Sequence, residues 1–185
     1  MNKPSYTSKY YYDPRDINTI EDCEKIAKDK LQDFFITSCA LNKYEVITIL
    51  LSNTQFSSFI DINKGSDDST TALMLLAGCS SIKALETILA VDGIKEKINP
   101  HLTNRHGWNA LMLSVGNDFH RATELLLFEF DIDIDEKTMK WLNGENKINR
   151  VYNLALAMIE KRNINRHLHK NLSLSKEVEK KGHKL

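Results

Sequence analysis

The chain has 185 residues, 42% of them apolar, and its 25 Lys and Arg balance its 25 Asp and Glu. That is the size of one ordinary domain. No apolar run approaches the ~18 residues of a membrane span, and Met1 to Asn18 is polar and tyrosine-rich, without the apolar centre of a signal peptide. Cys23, Cys39 and Cys79 are odd in number and lack ligand or redox spacing, which excludes a disulfide framework. The expectation is a cytoplasmic monomer without membrane insertion, or one delivered into a host cell cytosol without a cleavable signal peptide.

In chain order, residues 1–18 read as a flexible N-terminus, with Tyr10, Tyr11 and Tyr12 as an alternative docking segment. A helix is expected over Ile20–Lys30, opened by Thr19 and Asp22 in a capping-box-like arrangement, with Ile20, Cys23, Ala27 and Leu31 along one stripe. It either runs on through Asp33 or kinks there as an N-terminal cap spanning 19–31.

Three segments then repeat one pattern. Asp33, Thr71 and Asn109 fall in one column, spaced by 38 residues each time, and each is a good helix N-cap because its side-chain oxygen can accept an orphan N–H of the first turn. Small residues recur in the first helices, at Ser38 and Cys39, at Ala77 and at Ser114, with Leu76 and Val115 the bulkier exceptions. The second helices end in Ile49-Leu50-Leu51, Thr87-Ile88-Leu89 and Leu125-Leu126-Leu127, preceded by Val46, Ala84 and Ala122, a helical apolar stripe. Cys39 is expected in the core. A fourth, shorter unit is expected from Thr138, with Val151 to Ile159 as its second helix and Asn143, Glu145, Asn146, Lys147 and Asn149 as a polar cap surface. Beyond Arg162 a basic tail follows, in which Ile164, Leu168, Leu172 and Val178 have loosely helical spacing.

The stretch Asn104-Arg105-His106-Gly107-Trp108-Asn109-Ala110-Leu111-Met112, closing on Leu125-Leu126-Leu127, resembles the ankyrin-repeat signature D-x-x-G-x-T-P-L-H with its terminal leucines, and Glu45 to Leu51 resembles E-V-V-x-L-L-L. The resemblance implies an all-α, ankyrin-type solenoid of stacked helix-turn-helix units with short finger turns and helical caps. Its repeat domain would span 19–162, with units near 29–52, 67–90, 104–128 and 134–161, followed by a basic tail at 163–185. Ile36, Met74 and Met112 replace the family's histidine, so packing must substitute for its hydrogen bonds. Leu31 and Ser69 replace the turn glycine that only Gly107 keeps, which puts two finger turns in question. About five extra residues per unit are expected in the loops Ser52–Asp68 and Ala90–His101.

The resemblance further implies a protein-binding module that recruits or inhibits a macromolecular partner through its concave face and fingers. Carried over, the contact residues are Arg105, His106, Trp108, Gly116 and Asn117 in the third unit, and Asp67, Asp68, Thr70, Gly78 and Cys79 in the second. Trp108 leads, since exposed aromatics dominate interfaces, and Asp67 and Asp68 beside Arg105 would form a mixed-charge patch. Small Lys/Asn/Ile-rich proteins of this kind look like those of intracellular bacteria, their viruses, poxviruses and parasites, which act on host proteins.

No phosphate loop, dinucleotide fingerprint, H-E-x-x-H or G-x-S-x-G motif is present, so no catalytic residue and no cofactor is expected. His120, near Asp118 and Glu124, reads as a surface histidine. His167 and His169 flank Leu168 without partners to complete a metal site, and no metal is expected. Residues 61–140 carry 8 basic and 13 acidic side chains, whereas 141–185 carry 10 basic and 4 acidic. The competing reading is therefore a nucleic-acid-binding accessory protein using Lys161, Arg162, Arg166, Lys170, Lys180, Lys181 and Lys184, which the interspersed Glu177 and Glu179 weaken.

Overall fold

The 38-residue period of the sequence reappears in the backbone. In the computed structural model, which describes residues 13–130, 138, 140, 141 and 150–182, three helix pairs follow one another: α2 (Leu31–Ala40) with α3 (Tyr44–Ser52), α5 (Ala72–Gly78) with α6 (Ile82–Ala90), and α7 (Ala110–Gly116) with α8 (His120–Glu129). A short α1 (Ile20–Glu24) precedes them, α4 (Thr54–Ser57) lies in the first connection, and α9 (Arg150–Gly182) closes the fold. No strand occurs among the described residues, so the described fold is all-α.

Each pair turns in the same way. Asn42, Ser80 and Asp118 take left-handed backbone, with φ of 55°, 52° and 60°, and stand 38 residues apart. The next residue donates its N–H to a carbonyl five positions back, Lys43 to Ser38, Ser81 to Leu76 and Phe119 to Ser114, each at 2.9 Å. This Schellman arrangement satisfies the last carbonyls of the first helix and reverses the chain.

The pairs stack in two rows. Contacts run from α2 to α5 to α7 and from α3 to α6 to α8, while α9 rests on α8 and α7. Between the rows lie Phe35, Leu50, Leu76, Leu85, Leu111 and Leu126, all essentially inaccessible. The small-residue column is fully buried, Ser38 and Cys39 in the first unit, Leu76 and Ala77 in the second, Ser114 and Val115 in the third, as close helix approach demands. Ser38 and Ser114 bury their hydroxyls by donating to Phe34 O and Leu111 O within their own helices.

Hydrogen bonds also tie each connection to its neighbour. Gln32 Oε1 accepts from Asp61 N at 2.7 Å while its Nε2 donates to Asp61 O at 3.1 Å. Asn63 does the same one unit later, accepting from Asn99 N at 2.8 Å and donating to Lys97 O at 2.7 Å. The extra residues of each unit are therefore held in place, α4 in the first connection and a 3-10 turn at Lys95–Lys97 in the second.

Several expectations are corrected. The helix expected over Ile20–Lys30 ends at Glu24; Ala27 is extended, a 3-10 turn spans Lys28–Lys30, and α2 starts at Leu31. The break lets Cys23, Ile26 and Leu31 all reach the core, which one straight helix leading into α2 would not allow. Asp33 is not the N-cap of its helix: the cap position is Lys30, with no side-chain cap, because the 3-10 turn leads directly into α2. Of the N-terminal segment, Ile17 is buried and Asp13–Asp16 forms a turn, so 13–18 is ordered, while the three tyrosines lie outside the described residues. The boundary at Arg162 does not exist in the backbone, since α9 continues to Gly182. Most of the expected fourth first helix and the polar residues 143–149 lie outside the described residues; Thr138 is buried and Val151 to Ile159 belongs to α9.

Candidate functional site

Two finger turns precede α5 and α7, built on one plan. Ser66 N donates to Thr70 O at 3.0 Å and Ser69 N to Ser66 O at 2.8 Å; 38 residues on, Asn104 N donates to Trp108 O at 2.9 Å and Gly107 N to Asn104 O at 2.8 Å. Gly107 holds the left-handed backbone the turn requires, φ 75°. Ser69 adopts the same conformation, φ 63°, so the missing glycine does not abolish the first finger.

Side chains fix each turn from within. Asn104 Oδ1 accepts from His106 N at 3.0 Å and from Trp108 N at 3.1 Å. In the preceding finger the carboxylate of Asp68 has that role, taking the Ser66 hydroxyl and Thr70 N. These bonds, the Ser66 hydroxyl first, hold the Asp68 carboxyl below the usual carboxylate range. The fingers are then joined: Arg105 N donates to Asp68 O at 2.9 Å and Arg105 Nη2 to Asp67 O at 2.7 Å.

The geometry divides the sequence-derived contact residues. Trp108 is 44% exposed at the end of the second finger, with the exposed His106 ring 6.3 Å away and tilted by 50°. Arg105, Asp67 and Cys79 are also exposed. Thr70 is buried and serves the turn, and Asp68 is engaged within its own finger, so neither is free for a partner. The mixed-charge patch is corrected as well, because Arg105 bonds the backbone carbonyl of Asp67 and not a carboxylate.

Gly78 and Gly116 are packing positions. A Cβ on Gly78 would stand 3.5 Å from Leu113 Cβ, and one on Gly116 would stand 3.3 Å from the Trp141 ring. Each glycine thus receives a large side chain from the unit that follows. Asn117 is exposed yet spans units, donating to Leu113 O at 2.9 Å and Gly78 O at 3.3 Å. Sequence reading missed this interlock, although Leu113 and Trp141 were visible as large residues in the units that follow the glycines.

The three thiols are free. Burial alone pushes Cys39 far up, and burial with the nearby Asp22 carboxylate pushes Cys23 up to about 11. Partial desolvation also raises Cys79, exposed as it is, which makes it a poor nucleophile at neutral pH. His120 is an exposed residue 3.5 Å from Glu124, whose carboxylate also meets Arg121 at 3.5 Å.

On the other side of the stack, the two connections enclose a cleft of about 870 Å³ beneath the ends of α3 and α6. Its walls combine Leu51, Ile60 and Val91 with hydroxyls such as Ser52 and Thr87 and the carboxylates of Asp61 and Asp92. No element of the sequence reading pointed to it, since it arises only when successive connections stack. Comparison with protein-family models, curated proteins and solved structures gives no match.

Proposed function

We propose that the chain is a diverged ankyrin-type module that binds a protein partner through its fingers, centred on Trp108 with His106 and Arg105. One observation carries the reading: a large aromatic, 44% exposed, stands on a turn braced by Asn104 and bonded to the preceding finger through Arg105. Holding an aromatic anchor rigid in the free protein lowers the ordering cost of association, and such anchors dominate interface energies. The repeated turns, stacked helix pairs and interlocking glycines support the ankyrin-type assignment.

The test is affinity purification from the native or host cell with quantitative mass spectrometry, comparing wild type, Trp108→Ala and Thr48→Ala, the last on the cleft side. We expect a reproducible partner that Trp108→Ala depletes about tenfold or more, a hot-spot effect of roughly 1.4 kcal/mol or above, and that Thr48→Ala leaves unchanged. Thermal unfolding of both variants should match wild type. Retention of every partner by a folded Trp108→Ala protein would falsify the finger site.

A further inference from the structure

We propose that the C-terminal half of α9 is an amphipathic segment that lies on an anionic lipid surface. The helix changes character along its length. Ala155 and Ile159 are buried against the body and Leu154, Leu156 and Met158 are half-buried. From Asn163 to Leu168, and again at Lys170, every side chain is exposed, including Ile164 at 59% and Leu168 at 55%.

Register explains the change. At about 100° per residue, Ile164 stands about 180° from Ala155 and about 140° from Ile159, whereas Leu168 is only about 40° from Ile164. The apolar residues of the second half therefore lie on the side of the helix away from the core that holds the first half. Continuing the same register, positions Leu172, Leu174 and Val178 fall on the face of Ile164 and Leu168, and the five together cover an arc of about 160°. The body of this molecule cannot cover that face.

Charge and breadth select the occupant. Between Lys161 and Gly182 there are seven Lys and Arg against two Glu, and positions Lys170 and Lys181 flank one edge of the arc and Lys176 the other. A two-helix seam uses a narrower stripe, and two copies would bring two strongly cationic segments together. Nucleic acid would use the cations but has no use for Ile164 and Leu168. A broad apolar face with cations on both flanks is the pattern of a helix lying in the plane of a charged interface. No described helix is long and apolar enough to cross a membrane. Positions Asn171 and Ser175 fall inside the arc, so insertion is shallow and binding depends strongly on lipid charge.

The test is flotation of the full chain with phosphatidylcholine vesicles containing either no phosphatidylserine or about 30% of it, conditions that span neutral and anionic surfaces. Binding to the anionic vesicles should exceed that to the neutral ones by about tenfold or more and should be lost near 0.5 M salt, where screening is short-ranged. Because Ile164 and Leu168 are exposed, the double variant Ile164→Asn, Leu168→Asn should keep its thermal unfolding and lose vesicle binding by about tenfold. Absence of vesicle binding overturns the proposal, as does a double variant that floats like wild type. A light-scattering mass of two chains that falls to one in the double variant would assign the face to a second copy instead. A salt-sensitive duplex shift without flotation would assign the segment to nucleic acid.

Discussion

Ser69 and Gly107 occupy the same point of two fingers with φ of 63° and 75°, yet only glycine adopts that region without steric cost. Ser69→Gly should stabilise the protein by up to about 1 kcal/mol, and Gly107→Ala should destabilise it by about 1–2 kcal/mol, both read from urea unfolding midpoints. Asp22 supplies a pH signature. Its hydrogen bond from Lys25, helped by Thr19 and Asn18, lowers its pKa to about 2. A depressed carboxylate stabilises the fold above the unfolded value of about 3.9 and loses that contribution as pH falls through the folded value. The Tm gap between wild type and Asp22→Asn should be full at pH 5 and close between pH 4 and 2; a gap that persists at pH 2 contradicts the assignment.

At the scale of the element, the three openings of the first helices look equivalent in sequence and are not equivalent in structure. Thr71 accepts Met74 N, and Asn109 accepts Met112 N at 2.8 Å while donating to the buried Thr138 hydroxyl at 3.1 Å. Asp33 lies in the first turn of a helix that opens two residues earlier. Thr71→Ala and Asn109→Ala should each cost about 1–2 kcal/mol in chemical denaturation, the larger loss at Asn109, and Asp33→Ala less than about 0.5 kcal/mol. Equal losses at all three would restore the equivalence the spacing suggests. The turns within each pair carry the clearest unread signal: Asn42, Ser80 and Asp118 share the 38-residue period and two of them are residue types that tolerate left-handed backbone.

The whole molecule is held together by contacts between units that are equivalent in kind. Besides stacked helices, Gln32 and Asn63 clamp the connections, Lys95 meets Glu129 at 2.8 Å, and the Lys83 ammonium lies 3.6 Å from the Tyr44 ring centre. In a linear stack, cooperativity depends on such interfaces. Asn63→Ala should lower stability by about 1–3 kcal/mol, because it leaves Asn99 N and Lys97 O without this partner. It should also broaden the unfolding transition as the units decouple, seen as a reduced denaturant slope. A sharp transition of unchanged slope would place the coupling in the helix rows alone.

The sequence by itself determined the period, the apolar stripes, the buried small-residue column and the two real helix caps, because these depend on residue type and local spacing. It also singled out Trp108 as the exposed aromatic of a turn. Tertiary structure alone decided that Gly78 and Gly116 are filled by Leu113 and Trp141, that Arg105 reaches the Asp67 carbonyl, and that Thr70 is buried. It also decided that the basic tail continues α9 with its apolar residues turned from the core. Those outcomes depend on which residues of one unit meet those of the next, and contacts across about 38 positions leave no mark in local pattern.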